Sequence, residues 1–193
     1  MSRGGVFCVE GQWARDMTSR GSVLPTLELL ECIQSIRYIH KDVATAQELE
    51  YYLDRWTLKQ YDDYNVGFFA VHGEPQRLLL TEFNHHDNTI ELDEVGEILA
   101  GKCPGRRLFF GSCAVLKAPD RMLRDFLDRT GAALICGYTK AVDWVEAAAF
   151  ETVLLDRLVN GKRVDSAEST MRSARFAPFA DHLGFRVVYR NGR

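Results

Sequence analysis

The stretch Arg107-Leu-Phe-Phe-Gly-Ser-Cys113 decides the fold when it is compared with an earlier one, Gly67-Phe-Phe-Ala-Val-His-Gly73. In each, a short uncharged run of β-favouring residues ends at one reactive side chain, Cys113 or His72. Such runs, bounded by turn residues, are typical of strands buried on both faces of a parallel sheet. Ligands of open α/β sheets bind at the carboxyl ends of these strands. If the two strands are neighbours, a thiol and an imidazole lie side by side, as a cysteine nucleophile and its general base require.

Strand-like and helix-like segments alternate along the rest of the chain. Strands are predicted over residues 6–9, 37–40, 66–71, 108–110, 132–136 and 185–189, with a small hairpin from 78–80 and 89–92. Helices are predicted from Pro25, from Thr45 with Glu48 as its capping-box partner, over 93–100, from Pro119 to Gly131, from Asp143 to Asn160, and over 166–175. This alternation predicts a three-layer, doubly wound α/β sandwich with a mostly parallel sheet of about six strands. We expect a single domain over residues 1–193, since no repeat or linker interrupts the pattern.

Composition limits the classes of partner and compartment. The formal net charge is -3, which gives no electrostatic reason to expect a nucleic acid or an anionic membrane as partner. No run approaches the roughly 20 apolar residues of a membrane helix, and the first residues do not resemble a signal peptide. The five cysteines are odd in number and lack a CxxC spacing. A reduced, cytoplasmic protein fits these features best.

The paired strand ends resemble those of the caspase-like (clan CD) cysteine peptidases. In that family, an apolar strand ending in His-Gly precedes an apolar strand ending in a small residue and Cys. Caspases place the His about 50 residues before the Cys, and here the separation is 113 − 72 = 41 residues. The order of strands and helices is also similar, so the resemblance covers nearly the whole chain.

The chain departs from two branches of that family. The caspase motif Gln-Ala-Cys-Arg-Gly is replaced by Gly111-Ser-Cys-Ala-Val115, and Gly111 stands where metacaspases have Asp. The chain looks more similar to the CHAT-type and separase-like branches and to small bacterial caspase-like proteins. Caspases are cut in a loop between the Cys strand and the next strand. Here residues 118–131 are predicted to be nearly all helix, so we expect no self-cleavage there.

The resemblance implies a cysteine endopeptidase with a Cys-His dyad. Cys113 would attack a peptide carbonyl as thiolate, and a free thiol needs help to ionise at neutral pH. His72 would protonate the leaving amine and later activate water. The backbone N–H groups of Gly73 and Cys113 would form the oxyanion hole. The expected partners are a protein or peptide substrate and an activating protein, and we expect no cofactor and no metal.

Other candidate residues have simpler interpretations. Asp143 follows the fifth predicted strand, near where this fold builds the pocket for the residue before the cut, and an acid there would suit Arg or Lys. Asp143 with Glu146 also fits a helix cap, which we favour over substrate binding. His85-His86-Asp87 could ligate a metal, but consecutive histidines on a turn usually face solvent, so we interpret the segment as a loop. Taken alone, Cys113 could be a small buried hydrophobe and His72 a loop residue.

Two other functions stay open. One is an amidotransferase-like α/β cysteine hydrolase. Such enzymes have a Gly-x-Cys-x-Gly elbow, and Val115 at the second Gly position counts against this alternative. The other is a non-catalytic caspase-like module that senses or binds a partner. Such modules usually lose the His or the Cys, and this chain has both.

Overall fold

The computed structural model describes residues 4–82 and 86–190. The strands in these ranges are β1 (Gly5–Glu10), β2 (Arg37–Asp42), β3 (Val66–Ala70), β4 (His72–Glu74), β5 (Arg77–Leu79), β6 (Thr89–Glu91), β7 (Arg107–Phe110), β8 (Leu134–Tyr138) and β9 (Phe185–Tyr189). The α-helices are α1 (Leu24–Gln34), α2 (Ala46–Trp56), α3 (Leu92–Ile98), α4 (Asp120–Thr130), α5 (Trp144–Asn160), α6 (Ser166–Met171) and α7 (Ala177–Leu183). Single 3₁₀ turns lie at Lys59–Tyr61 and His86–Asn88.

The central sheet has six strands in the order β2-β1-β3-β7-β8-β9. All neighbours are parallel except β9, which runs antiparallel to β8. The predicted mostly parallel sheet of six strands is therefore confirmed. After β1 the chain moves to β2 on one side, then returns to β3 on the other. The carboxyl ends of β1 and β3 thus flank a topological switch point, where open α/β sheets bind ligands.

Helices cover both faces of this sheet because alternate strand residues are apolar on both sides. Cys8 and Phe68 face a core formed with α1, α5, α6 and α7. Phe7 and Phe69 face a second core formed with α2, α3 and α4. The three-layer sandwich expected from the sequence is confirmed by these two cores.

The predicted helix ends are mostly correct. Thr45 caps α2 by accepting a hydrogen bond from the Glu48 N–H at 3.2 Å, and Glu48 accepts one from the Thr45 N–H at 3.1 Å, which completes the capping box. Gly131 ends α4 with φ +80°, a left-handed conformation that glycine adopts without strain.

Three predicted boundaries were wrong. The hairpin of β5 and β6 has a third strand, β4, which begins at His72 and forms a small antiparallel sheet. Gly137 does not end β8 but pairs with Arg186 inside it, where the Phe110 carbonyl would lie 2.5 Å from any added Cβ. The predicted helix over 166–175 ends at Met171, and Pro178 lies in the first turn of the separate helix α7.

None of the described helices is both long and apolar enough to cross a membrane.

Candidate active site

The ends of β3 and β7 meet at one end of the sheet. Phe69 pairs with Phe110 across the two strands. His72 lies three residues past the first (72 − 69) and Cys113 three residues past the second (113 − 110). The Gly111 N–H donates to the Phe69 carbonyl at 3.0 Å, which extends the pairing beyond the last strand residues. Strand register therefore brings the imidazole and the thiol to the same level of the sheet.

Gly73 lets the backbone after His72 approach the backbone of Cys113. A Cβ at Gly73 would lie 2.5 Å from the Cys113 carbonyl oxygen and 2.6 Å from the Val115 side chain. Real Cβ atoms do not approach other atoms so closely, and the nearest obstacle is backbone that cannot move aside. The close approach thus requires glycine directly after the histidine.

A sharp turn directly follows Cys113. Ala114 has φ +56°, a left-handed conformation that costs a non-glycine residue roughly 1–2 kcal/mol. The Ala114 N–H donates to the Lys140 carbonyl at 3.0 Å, and the Leu116 N–H to the Tyr138 carbonyl at 3.0 Å. These bonds tie the turn to the end of β8 and hold Cys113, which is half-buried, at its tip.

His72 is held by the segment that follows β1. Its Nε2 lies 3.0 Å from the Trp13 carbonyl oxygen. A carbonyl can only accept, so Nε2 carries the hydrogen and Nδ1 is the nitrogen left to exchange a proton. The Trp13 ring also packs edge-on against the imidazole, with centroids 5.0 Å apart. Trp13 therefore fixes both the tautomer and the orientation of His72.

Glu10, the last residue of β1, anchors this segment. Its carboxylate accepts hydrogen bonds from the Trp13 indole N–H, the Ser22 hydroxyl and the Val23 N–H, and it contacts His40 Nε2 at 2.6 Å. Burial alone would raise the pKa of Glu10, but the hydrogen bonds outweigh burial and lower it. A buried carboxylate thus holds the residues that orient His72.

One group of described residues has the composition of a metal site. Glu10, His40 and Asp42 present ligand atoms that all lie within 4.8 Å of one another. Both Glu10 oxygens already accept hydrogen bonds from protein donors. The group is accounted for as the hydrogen-bonded support of the Trp13 segment.

His72 and Cys113 line the same cavity, which has a volume of about 180 Å³. The two indole rings of Trp13 and Trp144 meet edge to face on its wall, 4.6 Å apart. Its remaining lining comes from the segment before α1, the end of β3, Gly111 and the first turns of α5: Ser22, Val23, Thr26, Val71, Gly111, Val142, Ala147, Ala148 and Glu151.

Glu151 is the buried acid of this cavity. It is 4% exposed and accepts a hydrogen bond from the Tyr138 hydroxyl at 3.1 Å. Burial raises the pKa of Glu151 to about 8, although the bond from Tyr138 acts in the opposite direction. Glu151 was not among the site residues predicted from sequence. The sequence did contain a pattern that could have identified it. Glu151 lies four residues after Ala147 and three before Leu154, so it falls on the apolar face of α5.

Asp143 does not line the cavity. It is exposed, and its carboxylate accepts hydrogen bonds from the Val145 N–H at 2.9 Å and the Glu146 N–H at 3.1 Å, as the N-cap of α5. Glu146 itself pairs with His182 at 2.9 Å. The structure therefore gives Asp143 the capping role. The His85-His86-Asp87 segment includes residue 85 and the His86 side chain, which lie outside the described residues.

Comparisons with known proteins show the fold and the family. Among solved structures, caspase-1 from Spodoptera frugiperda is similar with a TM-score of 0.58 and 12% identity, covering 98% of this chain and 87% of that one. A secreted C11 cysteine protease from Bacteroides thetaiotaomicron, solved with an irreversible peptide inhibitor, has a TM-score of 0.59 and 12% identity. That match covers 91% of this chain but 59% of the protease, less than two thirds of its length. Both establish a caspase-like fold.

A search of curated proteins found no match. A family model does match, over residues 4–189, and its description is a family of unknown function, DUF6642. Because the match spans nearly the whole sequence, the chain belongs to the DUF6642 family.

Proposed function

We propose that the chain is a cysteine peptidase in which Cys113 is the nucleophile and His72 the general acid and base. The observation that carries the proposal is the shared cavity. Two reactive side chains 41 residues apart in sequence line one cavity at the ends of adjacent, in-register strands. The caspase-like fold of the chain supports the same chemistry, since both similar structures are of cysteine proteases.

The reaction follows the usual two steps of thiol acyl transfer. The Cys113 sulfur attacks the carbonyl carbon of the cleaved peptide bond, and the bond to the amine breaks to leave a thioester. Water then attacks the thioester carbon, which releases the carboxylic acid and restores the thiol.

The protons move through His72 Nδ1. This nitrogen takes up the thiol proton and gives it to the leaving amine. It later takes a proton from the attacking water and returns it to the sulfur that leaves the thioester. The hydrogen bond from Nε2–H to the Trp13 carbonyl keeps Nδ1 in the acceptor form between these steps. The same carbonyl stabilises the imidazolium when both nitrogens are protonated.

The oxyanion would be bound by the backbone N–H groups of Gly73 and Cys113. The close packing of Gly73 on the Cys113 backbone supports this assignment, because it brings the two peptide units together. Losing one such donor typically lowers the rate about 10²–10³-fold.

Selective alkylation and hydrolysis test the proposal together. Cys32 is exposed and would react with iodoacetamide, so the measurement uses the Cys32→Ala background. Cys8, Cys103 and Cys136 are buried, and burial raises the pKa of each thiol. We expect one rapid alkylation, which mass spectrometry would map to Cys113. Hydrolysis of fluorogenic peptides should be lost at the same rate as Cys113 is alkylated.

The matched control compares two cysteine substitutions. Cys113→Ala should lower peptide hydrolysis by at least about 10³-fold, whereas Cys32→Ala should leave it unchanged. Hydrolysis that survives Cys113→Ala would overturn the proposal. Folded protein that alkylates at Cys113 but cleaves no peptide in the presence of cell extract would favour the non-catalytic module instead.

A further inference from the structure

The cavity beside Cys113 contains an acid, Glu151, whose charge the lining of the cavity would not balance once the acid ionised. Among the described residues that line it, Glu151 is the one acid, and none is Lys or Arg. Within the described residues, the hydrogen bond to Glu151 comes from the neutral Tyr138 hydroxyl. A carboxylate can accept about four hydrogen bonds, so one donor leaves most of this capacity unused. Burying a carboxyl group with so little compensation is costly.

Gly111 opens the cavity towards this acid. A Cβ at Gly111 would lie 3.0 Å from Glu151 Oε1 and 2.6 Å from the Phe68 ring. Any larger residue two positions before Cys113 would therefore press on the carboxyl group. Helix α5 thus brings its carboxyl group to the space that a side chain at position 111 would occupy, next to the nucleophile.

The size of the cavity fits one amino-acid side chain. Its volume of about 180 Å³ lies below the roughly 300 Å³ at which pockets for drug-sized ligands begin. Because Cys113 lines it, the side chain that enters would belong to the residue before the cleaved bond.

The chemistry of the lining selects a cation. An acidic side chain would bring a second carboxyl group beside Glu151 and would be repelled by the buried Glu10 carboxylate, which bonds the Ser22 and Val23 part of the wall. An ammonium or guanidinium would provide the opposite charge that favours the ionised form of Glu151 and binds it. Trp13 and Trp144 place indole rings on the wall, and indole faces attract cations.

We infer that Glu151 is the specificity-determining residue of this cavity and that it binds the Lys or Arg side chain that precedes the cleaved bond. The inference rests on the proposed peptidase function. Glu151, rather than Asp143, would then be the acid that binds the Arg or Lys side chain.

A substrate series tests the inference directly. Fluorogenic peptides would differ in one residue, Arg, Lys, Gln, Met or Asp before the cleaved bond, and kcat/KM would be measured for each. We expect Arg and Lys to be the best substrates. Glu151→Gln should lower kcat/KM for them about 100-fold while the Gln peptide changes less than about threefold. Glu146→Gln, on the same helix but paired with His182, should leave the whole series unchanged.

The outcomes separate this inference from the proposed function. Preference for Gln, Met or Asp, or a preference for Arg that survives Glu151→Gln, would overturn the inference and leave the peptidase standing. Hydrolysis of none of the peptides, with Cys113 failing to alkylate, would overturn both.

A binding measurement keeps the test independent of hydrolysis. In the Cys32→Ala background, benzamidine should slow alkylation of Cys113 at least about tenfold, and the neutral isostere benzamide should not. Glu151→Gln is nearly isosteric and can still accept the Tyr138 hydroxyl, and it should abolish protection by benzamidine. Equal protection by both compounds, or protection that persists in Glu151→Gln, would show that the cavity does not select a cation.

Discussion

Two buried ionisable side chains, Arg106 and Glu151, lie at opposite ends of the parallel strands, and they differ in the partners that surround them. Arg106 precedes β7 and is 4% exposed, as is Glu151 at the other end. Arg106 donates to the Tyr64 carbonyl at 3.0 Å and to Asp62 at 3.2 Å, and its guanidinium lies 4.5 Å from the Trp56 ring. Glu151 has the Tyr138 hydroxyl and an adjacent cavity.

The difference separates a structural end of the sheet from the end at which we propose that the reaction takes place. At the amino ends of the strands, a carbonyl acceptor and an opposite charge from the chain itself satisfy the buried cation. At the carboxyl ends lie a strained turn at Ala114, a close approach at Gly73 and an acid, Glu151, that has no cationic partner among the described residues. Such features persist where they serve a ligand or a reaction. Substitutions at the first end should therefore lower stability, and those at the second should lower activity.

The largest effect expected is on activity, from His72→Ala. Loss of a general acid and base lowers rates by about 10²–10⁴-fold, so we expect kcat/KM to fall about 10³-fold. The melting temperature should change little, because His72 is half-buried and its ring nitrogen bonds a single carbonyl. His182→Ala is the matched control, since His182 is exposed and pairs only at the surface with Glu146. Equal losses in the two variants would show that the effect is not specific to His72.

The next largest effect is on the pH dependence of stability, through Glu151. Its pKa is about 8 in the folded chain against an ordinary 4.5. Between these values the folded state keeps a proton that the unfolded state has released, so the free energy of unfolding falls as pH rises. The charged and titratable groups near it, Tyr138, Cys8 and Cys113, are the same in Glu151→Gln. Glu151→Gln should therefore gain about 4 kcal/mol over wild type between pH 4.5 and pH 8.

Urea unfolding of both proteins at several pH values measures this difference. The lowered pKa of Glu10 makes stability rise with pH, but that contribution is present in both proteins and cancels. A difference that is constant across the pH range would mean that Glu151 is charged in the folded state.

At the structural end, Arg106→Met should lower the free energy of unfolding by about 2 kcal/mol. The substitution removes hydrogen bonds to Tyr64 and Asp62 and leaves the apolar contact with Trp56. The rate of Cys113 alkylation should stay unchanged. Lys102→Met is the control, because the Lys102–Asp54 pair is exposed and contributes less than about 1 kcal/mol. Slower alkylation in Arg106→Met would show that the two ends are coupled.

The features that could be predicted from the sequence are those that depend on local patterns. Apolar periodicity and turn residues suffice for buried strands such as β3 and β7, and their matched ends pointed to His72 and Cys113 as one site. Glu48 and Thr45 could be paired because capping is a local interaction over three residues. These features depend on neighbours in sequence or on the general register of parallel strands.

The residues that orient or surround the two predicted site residues could not be predicted from local sequence patterns. Trp13 bonds His72 across 59 residues, and no local pattern marks a backbone carbonyl as the partner of an imidazole. Glu151 reaches the cavity from a helix that begins 31 residues after Cys113 (144 − 113), so its role depends on how α5 packs. Asp143, the one acid considered for the pocket from sequence, was favoured as a helix cap because capping is local, and it does cap α5.

The smallest effect expected is a difference in susceptibility to proteolysis between two segments. One is the segment after β1, and the other is the interval after Cys113. Residues 11–23 contain no helix or strand, and residues 15–21 are exposed. Most of the interval after Cys113 is the helix α4, whose Leu123, Phe126 and Leu127 are buried. Proteases need several residues of extended chain, so brief trypsin treatment should cut first after Arg20 and leave 118–131 intact. Arg20→Gln should delay that first cut, which mass spectrometry of the fragments would show.

Self-processing should follow the same rule. Incubation of the active protein should produce no fragments with ends between 118 and 131, because unfolding α4 would expose its buried face. A cut after Arg20 should instead reduce hydrolysis without releasing either fragment, because β1 stays paired with β2 and β3 while Trp13, which orients His72, lies on the cut segment. Full activity after that cut would mean that Glu10 alone holds the Trp13 carbonyl in place. Fragments that end inside α4 would mean instead that this helix opens in the working enzyme, as the corresponding loop does when caspases are processed.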